Sequence, residues 1–107
     1  MVAALLVDDH PLFLEGFATM LRRHRPQWAP LRIATSAAEA LAAMGGARKP
    51  DLAIVDIQLP DMDGFQAARA LAAASPLTPR VMISGREDGA ARLRSRDCGA
   101  SGFISKS

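Results

Sequence analysis

Residues that cross-link a chain or anchor it in a membrane are nearly missing from this sequence. The single cysteine, Cys98, excludes an intrachain disulfide framework and a metal site built from cysteines. The apolar runs at residues 2–7 and 52–55 are far shorter than the ~20 residues that a membrane helix requires. No charged segment is followed by a long apolar stretch, so we predict no signal peptide. These absences favour a soluble, cytoplasmic protein without membrane contact.

The composition is that of one small folded domain. Half of the 107 residues are hydrophobic and 22% are charged, which excludes a disordered chain. The 13 Lys and Arg residues only slightly exceed the 11 Asp and Glu residues, and the net charge is +2. Many arginines fall near predicted helix ends, where a cation is favourable, and no aromatic residues are interleaved with them. DNA binding by this domain itself is therefore not predicted.

Short apolar runs alternate with amphipathic segments along the chain. An apolar run without alternation is typical of a strand buried on both faces of a parallel sheet. A proline in a first turn, a capping box formed by Ser36 and Glu39, and glycines after last turns indicate the helix ends. These signals predict strands at residues 2–7, 31–35, 52–57, 80–84 and 102–104, and helices at residues 11–25, 36–45, 65–74 and 88–98.

The strict alternation of strands and helices predicts an α/β fold. We expect a doubly wound, five-stranded parallel sheet with helices on both faces and right-handed crossovers. Both faces of such a sheet need cover, yet no helix follows the fifth strand. We therefore expect residues 1–107 to form one domain that is truncated at the C-terminus and lacks its last helix. We therefore expect this exposed face to contact a second copy of the chain, or to be covered by a segment exchanged between two copies. Otherwise we expect the domain to be only weakly stable.

Polar residues follow the predicted strands at the edge where α/β sheets bind ligands. Asp8 and Asp9 follow the first strand, Asp56 ends the third, Ser84 ends the fourth and Lys106 follows the fifth. Three crowded carboxylates repel one another, and Mg²⁺ relieves that repulsion because it prefers oxygen ligands. An aspartate beside Mg²⁺ can attack phosphorus and form an acyl phosphate. The lysine and the serine would then supply a cation and a donor for the phosphoryl oxygens.

These residues resemble the receiver domain of two-component response regulators. The resemblance rests on the Asp8-Asp9 pair, the segment VDIQLPDMDGF around Asp56, Ser84, and the segment GASGFISK that ends at Lys106. It covers nearly the whole chain and implies a flavodoxin-like sheet with the strand order 2-1-3-4-5. The segment VDDHPLFLEG is similar to receivers that precede a LuxR/NarL-type DNA-binding output domain.

The resemblance implies a role for each acidic residue. Asp56 would accept the phosphoryl group. Asp9 and Asp56 would bind Mg²⁺ directly together with the backbone carbonyl of Gln58, and Asp8 would act mainly through water. The domain would be a phosphoacceptor rather than an enzyme, apart from its own phosphorylation and dephosphorylation. Its donor would be a sensor histidine kinase or a phosphotransfer protein.

The resemblance also implies how phosphorylation would change the conformation of the rest of the domain. Ser84 would turn toward the phosphoryl group, Lys106 would pair with it, and Phe103 would move inward as an aromatic switch. The added charge of roughly −1.5 to −2 would favour one of two packings of the fourth helix. The result would be control of transcription, with DNA contacted only through an output domain outside this chain. A homodimer is left open.

Three other functions are open to the same fold. A haloacid-dehalogenase-like phosphatase also uses an aspartate nucleophile with Mg²⁺, but it needs a second aspartate where Gln58 stands. A flavodoxin-like cofactor module would need a phosphate cradle after the first strand, where Asp8 and Asp9 repel phosphate. A receiver-like module used only for interaction would lack part of the acidic set, and none of that set is missing.

Overall fold

The computed structural model describes residues 3–24, 31–46, 48–85 and 89–105 of the chain. Five strands alternate with four helices in these ranges, in the predicted order. The elements are β1 (Ala4–Val7), α1 (Pro11–His24), β2 (Arg32–Ala34), α2 (Ala37–Met44), β3 (Leu52–Asp56), α3 (Gly64–Ala74), β4 (Arg80–Ser84), α4 (Gly89–Asp97) and β5 (Gly102–Ser105). The predicted bounds of β4 are confirmed, whereas β2 covers only Arg32–Ala34 of the predicted range 31–35. β1 begins at Ala4, and residue 2 of its predicted range lies outside the described residues. The predicted stop of α1 at Pro26 lies outside the described residues.

All five strands are parallel, and their order is β2-β1-β3-β4-β5. The flavodoxin-like topology is therefore confirmed. The register aligns Val7 with Val55 and Asp56 with Ile83. Because parallel strands end at the same edge, the residues that follow β1 and close β3 and β4 lie beside one another. This edge is the one at which open α/β sheets bind ligands.

Alternate residues of the central strands divide the core between the two faces of the sheet. Leu5, Val55 and Met82 point toward the face that α2, α3 and α4 cover. Leu6 and Ile54 point toward the opposite face and pack against α1. Both sets are buried, so the central strands are apolar on both faces, as the unbroken apolar runs predict.

The α1 face is the less covered side of the sheet. Among the described residues, α1 is the only helix that packs there, and Ile33 and Ile104 remain 48% and 44% exposed. A groove of about 530 Å³ runs beside α1, between Met20, Val81 and Ile104. An apolar surface on this face is thus present as expected, while the truncation and the contacts that would cover it stay predictions. None of the helices in the described ranges is long and apolar enough to span a bilayer.

The start of α2 differs in one detail from the predicted capping box. The Ser36 hydroxyl accepts the Glu39 N–H at 3.2 Å, as predicted. The Glu39 carboxylate, however, accepts the backbone N–H of Thr35 at 2.9 Å and the Thr35 hydroxyl at 2.8 Å. The returning bond therefore reaches one residue beyond the N-cap, because the extended chain leaving β2 presents Thr35 to the carboxylate.

Candidate functional site

Two of the predicted site carboxylates are buried at the edge where β1 and β3 end. Asp8 is 0% exposed and Asp56 is 2% exposed, whereas Asp9 is an exposed residue. Ligand atoms from these three residues and from His10 lie within 4.8 Å of one another. Burying two carboxylates so close together is unfavourable unless a cation or hydrogen-bond donors offset their charge.

His10 supplies a nitrogen to this group, a role that the sequence pattern did not predict. Its Nδ1 lies 2.6 Å from Oδ1 of Asp8, 3.1 Å from Oδ2 of Asp56 and 3.5 Å from Oδ1 of Asp9. The backbone N–H of His10 also donates to Oδ1 of Asp8 at 2.9 Å. The signal in the sequence was its position directly after the aspartate pair. We call Asp8, Asp9, His10 and Asp56 the acidic pocket.

The turn after Asp56 orients its carboxylate. Oδ1 of Asp56 accepts the backbone N–H of Gln58 at 3.0 Å, which is an Asx turn. The chain then doubles back, and the N–H of Gly64 donates to the carbonyl of Ile57 at 2.9 Å. A cavity of about 490 Å³ opens against Asp56 between the start of α1 and Gly85. A small molecule can therefore approach the carboxylate from solvent.

Two further aspartates anchor the β3–α3 loop. The carboxylate of Asp61 accepts the backbone N–H groups of Ala37 and Ala38, at 2.9 and 3.0 Å, at the start of α2. Asp63 is the N-cap of α3 and accepts the N–H of Phe65 at 2.7 Å. The loop that carries Asp56 is thus tied to two helix N-termini, where negative charge is favourable.

The hydrogen bonds of these aspartates and of Glu39 change their acidity. Backbone N–H groups of Ala37 and Ala38 lower the pKa of Asp61. The backbone N–H of Thr35, and then its hydroxyl, lower the pKa of Glu39. Partial burial alone would raise the pKa of Asp63, but the Phe65 N–H and the Arg94 guanidinium outweigh it and leave the pKa lowered. All three groups are therefore better stabilised as anions in the folded chain.

We expect the domain to lose stability in acid. Ordinary values are about 3.9 for Asp and 4.3 for Glu in an unfolded chain, and these three pKa values are lower when the chain is folded. Their contribution is therefore complete above about pH 5 and disappears as the pH falls through the folded-state values. Urea denaturation at a series of pH values measures this loss. A midpoint that stays constant between about pH 6 and pH 3 would contradict it.

Arg94 connects α4 to the β3–α3 loop. Its Nη2 donates to Oδ2 of Asp63 at 3.1 Å, and its guanidinium lies 4.2 Å from the centroid of the Phe65 ring. The rest of α4 docks through the small buried residues Ala91 and Ser95. The arginine-rich sequence of α4 thus gives it polar and stacking contacts in place of large apolar ones.

The predicted switch residues lie beside this helix. Ser84 is fully buried at the end of β4 and aligns with Ser105 of β5. Phe103 is half-buried, and the guanidinium of Arg92 lies 5.1 Å from its ring centroid. Lys106 lies outside the described residues, as does the predicted start of α4 at Asp88. The structure therefore brings Ser84 to the edge that carries Asp56 and places Phe103 under an arginine of α4.

The acidic pocket has the donor chemistry of a site for a hard divalent cation. Three carboxylates converge, and two of them are buried. Mg²⁺ and Ca²⁺ are bound in proteins by carboxylate and carbonyl oxygens. The residues present therefore fit Mg²⁺ at this position.

A family model for the response regulator receiver domain matches residues 4–107. The chain belongs to this family. It is a receiver domain of two-component response regulators, and such domains generally accept phosphoryl groups rather than act as enzymes and bind Mg²⁺ at an acidic pocket. The predicted family is confirmed, and the phosphatase, cofactor-module and interaction-only alternatives are not favoured.

Individual relatives agree with this family. The chain is 34% identical over 106 residues to the DNA-binding transcriptional activator DevR/DosR of Mycobacterium tuberculosis, covering 99% of this chain and 48% of the relative. It is 37% identical to a protein-glutamate methylesterase/protein-glutamine glutaminase of Alkalilimnicola ehrlichii, covering 98% of this chain and 27% of the relative. This receiver domain thus spans about half, or less, of these relatives.

A solved structure confirms the fold and the LuxR/NarL-type resemblance. The LuxR-family two-component response regulator from Aurantimonas sp. SI85-9A1 superimposes with a TM-score of 0.89 and 29% identity. The superposition covers 100% of this chain and 75% of that one. The receiver fold is therefore shared over the full length of this chain.

Proposed function

We propose that this receiver domain accepts a phosphoryl group on Asp56 from a histidine kinase or a phosphotransfer protein. The observation that carries the proposal is the position of the Asp56 carboxylate. It is buried at the sheet edge, faces a cavity open to solvent, and lies within 4.8 Å of the other ligand atoms of the acidic pocket. No other aspartate in the described ranges ends a central strand in this way.

Mg²⁺ would be held by Asp9, Asp56 and the backbone carbonyl of Gln58, with Asp8 acting through water. When bound, the ion neutralises charge on the carboxylates and on the incoming phosphoryl oxygens. The Gln58 N–H bond to Oδ1 keeps the Asp56 carboxylate oriented, so that its other oxygen is presented to the phosphorus. That oxygen forms the new P–O bond as the bond from phosphorus to the donor breaks, and the leaving group keeps the electron pair.

Ser84 and Lys106 would then bind the phosphoryl group. The Ser84 hydroxyl would donate to one phosphoryl oxygen and the Lys106 ammonium would pair with another. Movement of the buried Ser84 frees space beside β5, and Phe103 turns inward. Because Arg92 lies over the Phe103 ring and Arg94 holds the β3–α3 loop, α4 would move with the switch.

The signal would control transcription through an output domain outside residues 1–107. The transcriptional activator DevR/DosR among the relatives supports this output, whereas the methylesterase relative has a different activity. The protein would act in the cytoplasm and contact DNA only through that output domain. A homodimer across the exposed α1 face of the sheet would cover the groove beside α1.

Acetyl phosphate, a small phosphoryl donor, tests the proposed chemistry. With Mg²⁺ present, we expect the intact mass to rise by one phosphoryl group, because the cation offsets the crowded negative charge. Excess EDTA should prevent this labelling. Labelling that proceeds equally well in EDTA would contradict the role of the metal, and rapid multiple turnover of a phosphate monoester would favour the phosphatase alternative.

A further inference from the structure

We propose that His10 selects the metal ion of this receiver domain, by adding an imidazole nitrogen to a pocket that otherwise offers only oxygens. With His10 as a ligand, the pocket would take nitrogen-preferring transition-metal ions such as Ni²⁺ much more tightly than its carboxylates alone would. This inference rests on the proposed function only in that both place a divalent ion in the acidic pocket.

The position of Nδ1 carries the proposal. It lies among three carboxylates from two different strand ends, 2.6 Å from an oxygen of Asp8, 3.1 Å from one of Asp56 and 3.5 Å from one of Asp9. Asp8 and Asp56 are buried, so their carboxylates are held in place. The nitrogen therefore reaches the group of oxygens that would surround a bound cation.

The spacing of these atoms is that of ligands around one ion. Transition-metal ions bind nitrogen and oxygen ligands at about 2.0–2.1 Å, so neighbouring ligand atoms lie about 3.0 Å apart in an octahedral site and about 3.3 Å apart in a tetrahedral one. The three distances from Nδ1 of His10 range from 2.6 to 3.5 Å. The distances from Nδ1 to the three carboxylate oxygens therefore span the range expected between neighbouring ligands of one ion.

The backbone keeps His10 at the pocket while its ring can still adjust. Its N–H donates to Asp8, and its carbonyl accepts the N–H of Leu14 at 3.0 Å, in the first turn of α1. The side chain itself is 53% exposed. A ring that is anchored through its own backbone and half exposed can bind a transition-metal ion or turn aside.

The chemistry of the imidazole decides which ion benefits. Imidazole nitrogen is a good ligand for Zn²⁺, Cu²⁺ and Ni²⁺, whereas Mg²⁺ prefers oxygen. Mg²⁺ shared by Asp9 and Asp56 gains nothing from the ring, which must turn away from the carboxylates. Removing the ring should therefore weaken binding of Ni²⁺ without weakening binding of Mg²⁺.

Calorimetric titration of Ni²⁺ and Mg²⁺ into the wild type and into His10→Ala tests the proposal. Loss of a group that supports a metal ligand costs about 10–100-fold in affinity, so loss of the ligand itself should cost about 100-fold for Ni²⁺. The affinity for Mg²⁺ should be equal or higher. The matched control is His24→Ala, because His24 is the only other histidine in the chain and should leave both affinities unchanged.

A spectroscopic measurement separates ligation from a change in fold. Cu²⁺ bound to the wild type should show nitrogen hyperfine coupling in its electron paramagnetic resonance spectrum, and His10→Ala should lose that coupling. Equal Ni²⁺ affinity in the wild type and His10→Ala, or unchanged coupling, would overturn the proposal. If His10→Ala loses Ni²⁺ while acetyl phosphate fails to label the wild type, the inference stands and the proposed phosphoryl acceptor is wrong.

Discussion

Asp56→Asn is expected to abolish labelling by acetyl phosphate. The amide has the shape of the carboxylate but lacks the anionic oxygen that attacks phosphorus, and it removes one negative charge from the acidic pocket. The Gln58 N–H bond to Oδ1 can persist, so the loop should keep its shape. Intact mass spectrometry after incubation with acetyl phosphate and Mg²⁺ measures the effect as a complete loss of the mass increase.

Asp97→Asn is the matched control for this result. It makes the same chemical change at an exposed position at the C-terminal end of α4, so labelling should match the wild type. Circular dichroism should show that both variants remain folded. A mass increase that persists in Asp56→Asn would place the phosphoryl group on another residue and contradict the proposed function.

Gly64→Ala should destabilise the domain by about 3 kcal/mol, near the upper end of typical overpacking costs. A Cβ atom at Gly64 would lie 2.0 Å from the carbonyl oxygen of Asp56, 2.5 Å from Cα of Ile57 and 2.8 Å from its carbonyl carbon. All three neighbours are main-chain atoms of the β3–α3 turn, so no flexible side chain can move aside. Relieving the overlap would require the turn to open and to break the bond between the Gly64 N–H and the Ile57 carbonyl.

Gly16→Ala is the control for this substitution and should act in the opposite direction. Gly16 lies within α1, and a Cβ atom there would meet nothing within 4 Å. Alanine in a helix interior is favoured over glycine by about 0.5–1 kcal/mol, so the denaturation midpoint should rise slightly. Equal urea midpoints for Gly64→Ala and the wild type would show that the turn can open without cost.

Functionally, Gly64→Ala should affect the phosphoryl acceptor more than the rest of the domain. The turn that the new methyl group would open begins at Asp56 itself. A displaced Asp56 carboxylate would no longer lie within ligand distance of Asp8 and Asp9. Slower labelling of the folded fraction by acetyl phosphate would therefore accompany the lower stability.

Local sequence signals predicted the elements of the fold well. Unbroken apolar runs such as residues 52–55 identified strands buried on both faces, because a strand inside a covered sheet has apolar neighbours on both sides. Ser36 and Gly99 marked a helix start and a helix end, and Gly99 does adopt a positive φ of 80°. These features depend on a few neighbouring residues, so the sequence reveals them directly.

Contacts between distant segments could not be predicted in this way. The bonds from Asp61 to the start of α2 and from Arg94 to Asp63 join loops and helices that lie more than twenty residues apart. Aspartates in a turn commonly cap their own helix, so the pattern alone gave no reason to connect Asp61 with α2. Likewise, His10 could be placed after the aspartate pair, but the direction of its ring depends on the neighbouring strand end.

The amino-acid sequence by itself determined which residues stand at the ends of the strands, because periodicity and turn residues are local properties. It therefore determined that Asp8, Asp9 and Asp56 would share one sheet edge once parallel pairing was assumed. Only the tertiary structure decided which of them are buried and that His10 lies among them. Burial and side-chain direction arise from packing between segments that are far apart in the chain. Local sequence patterns therefore do not predict them.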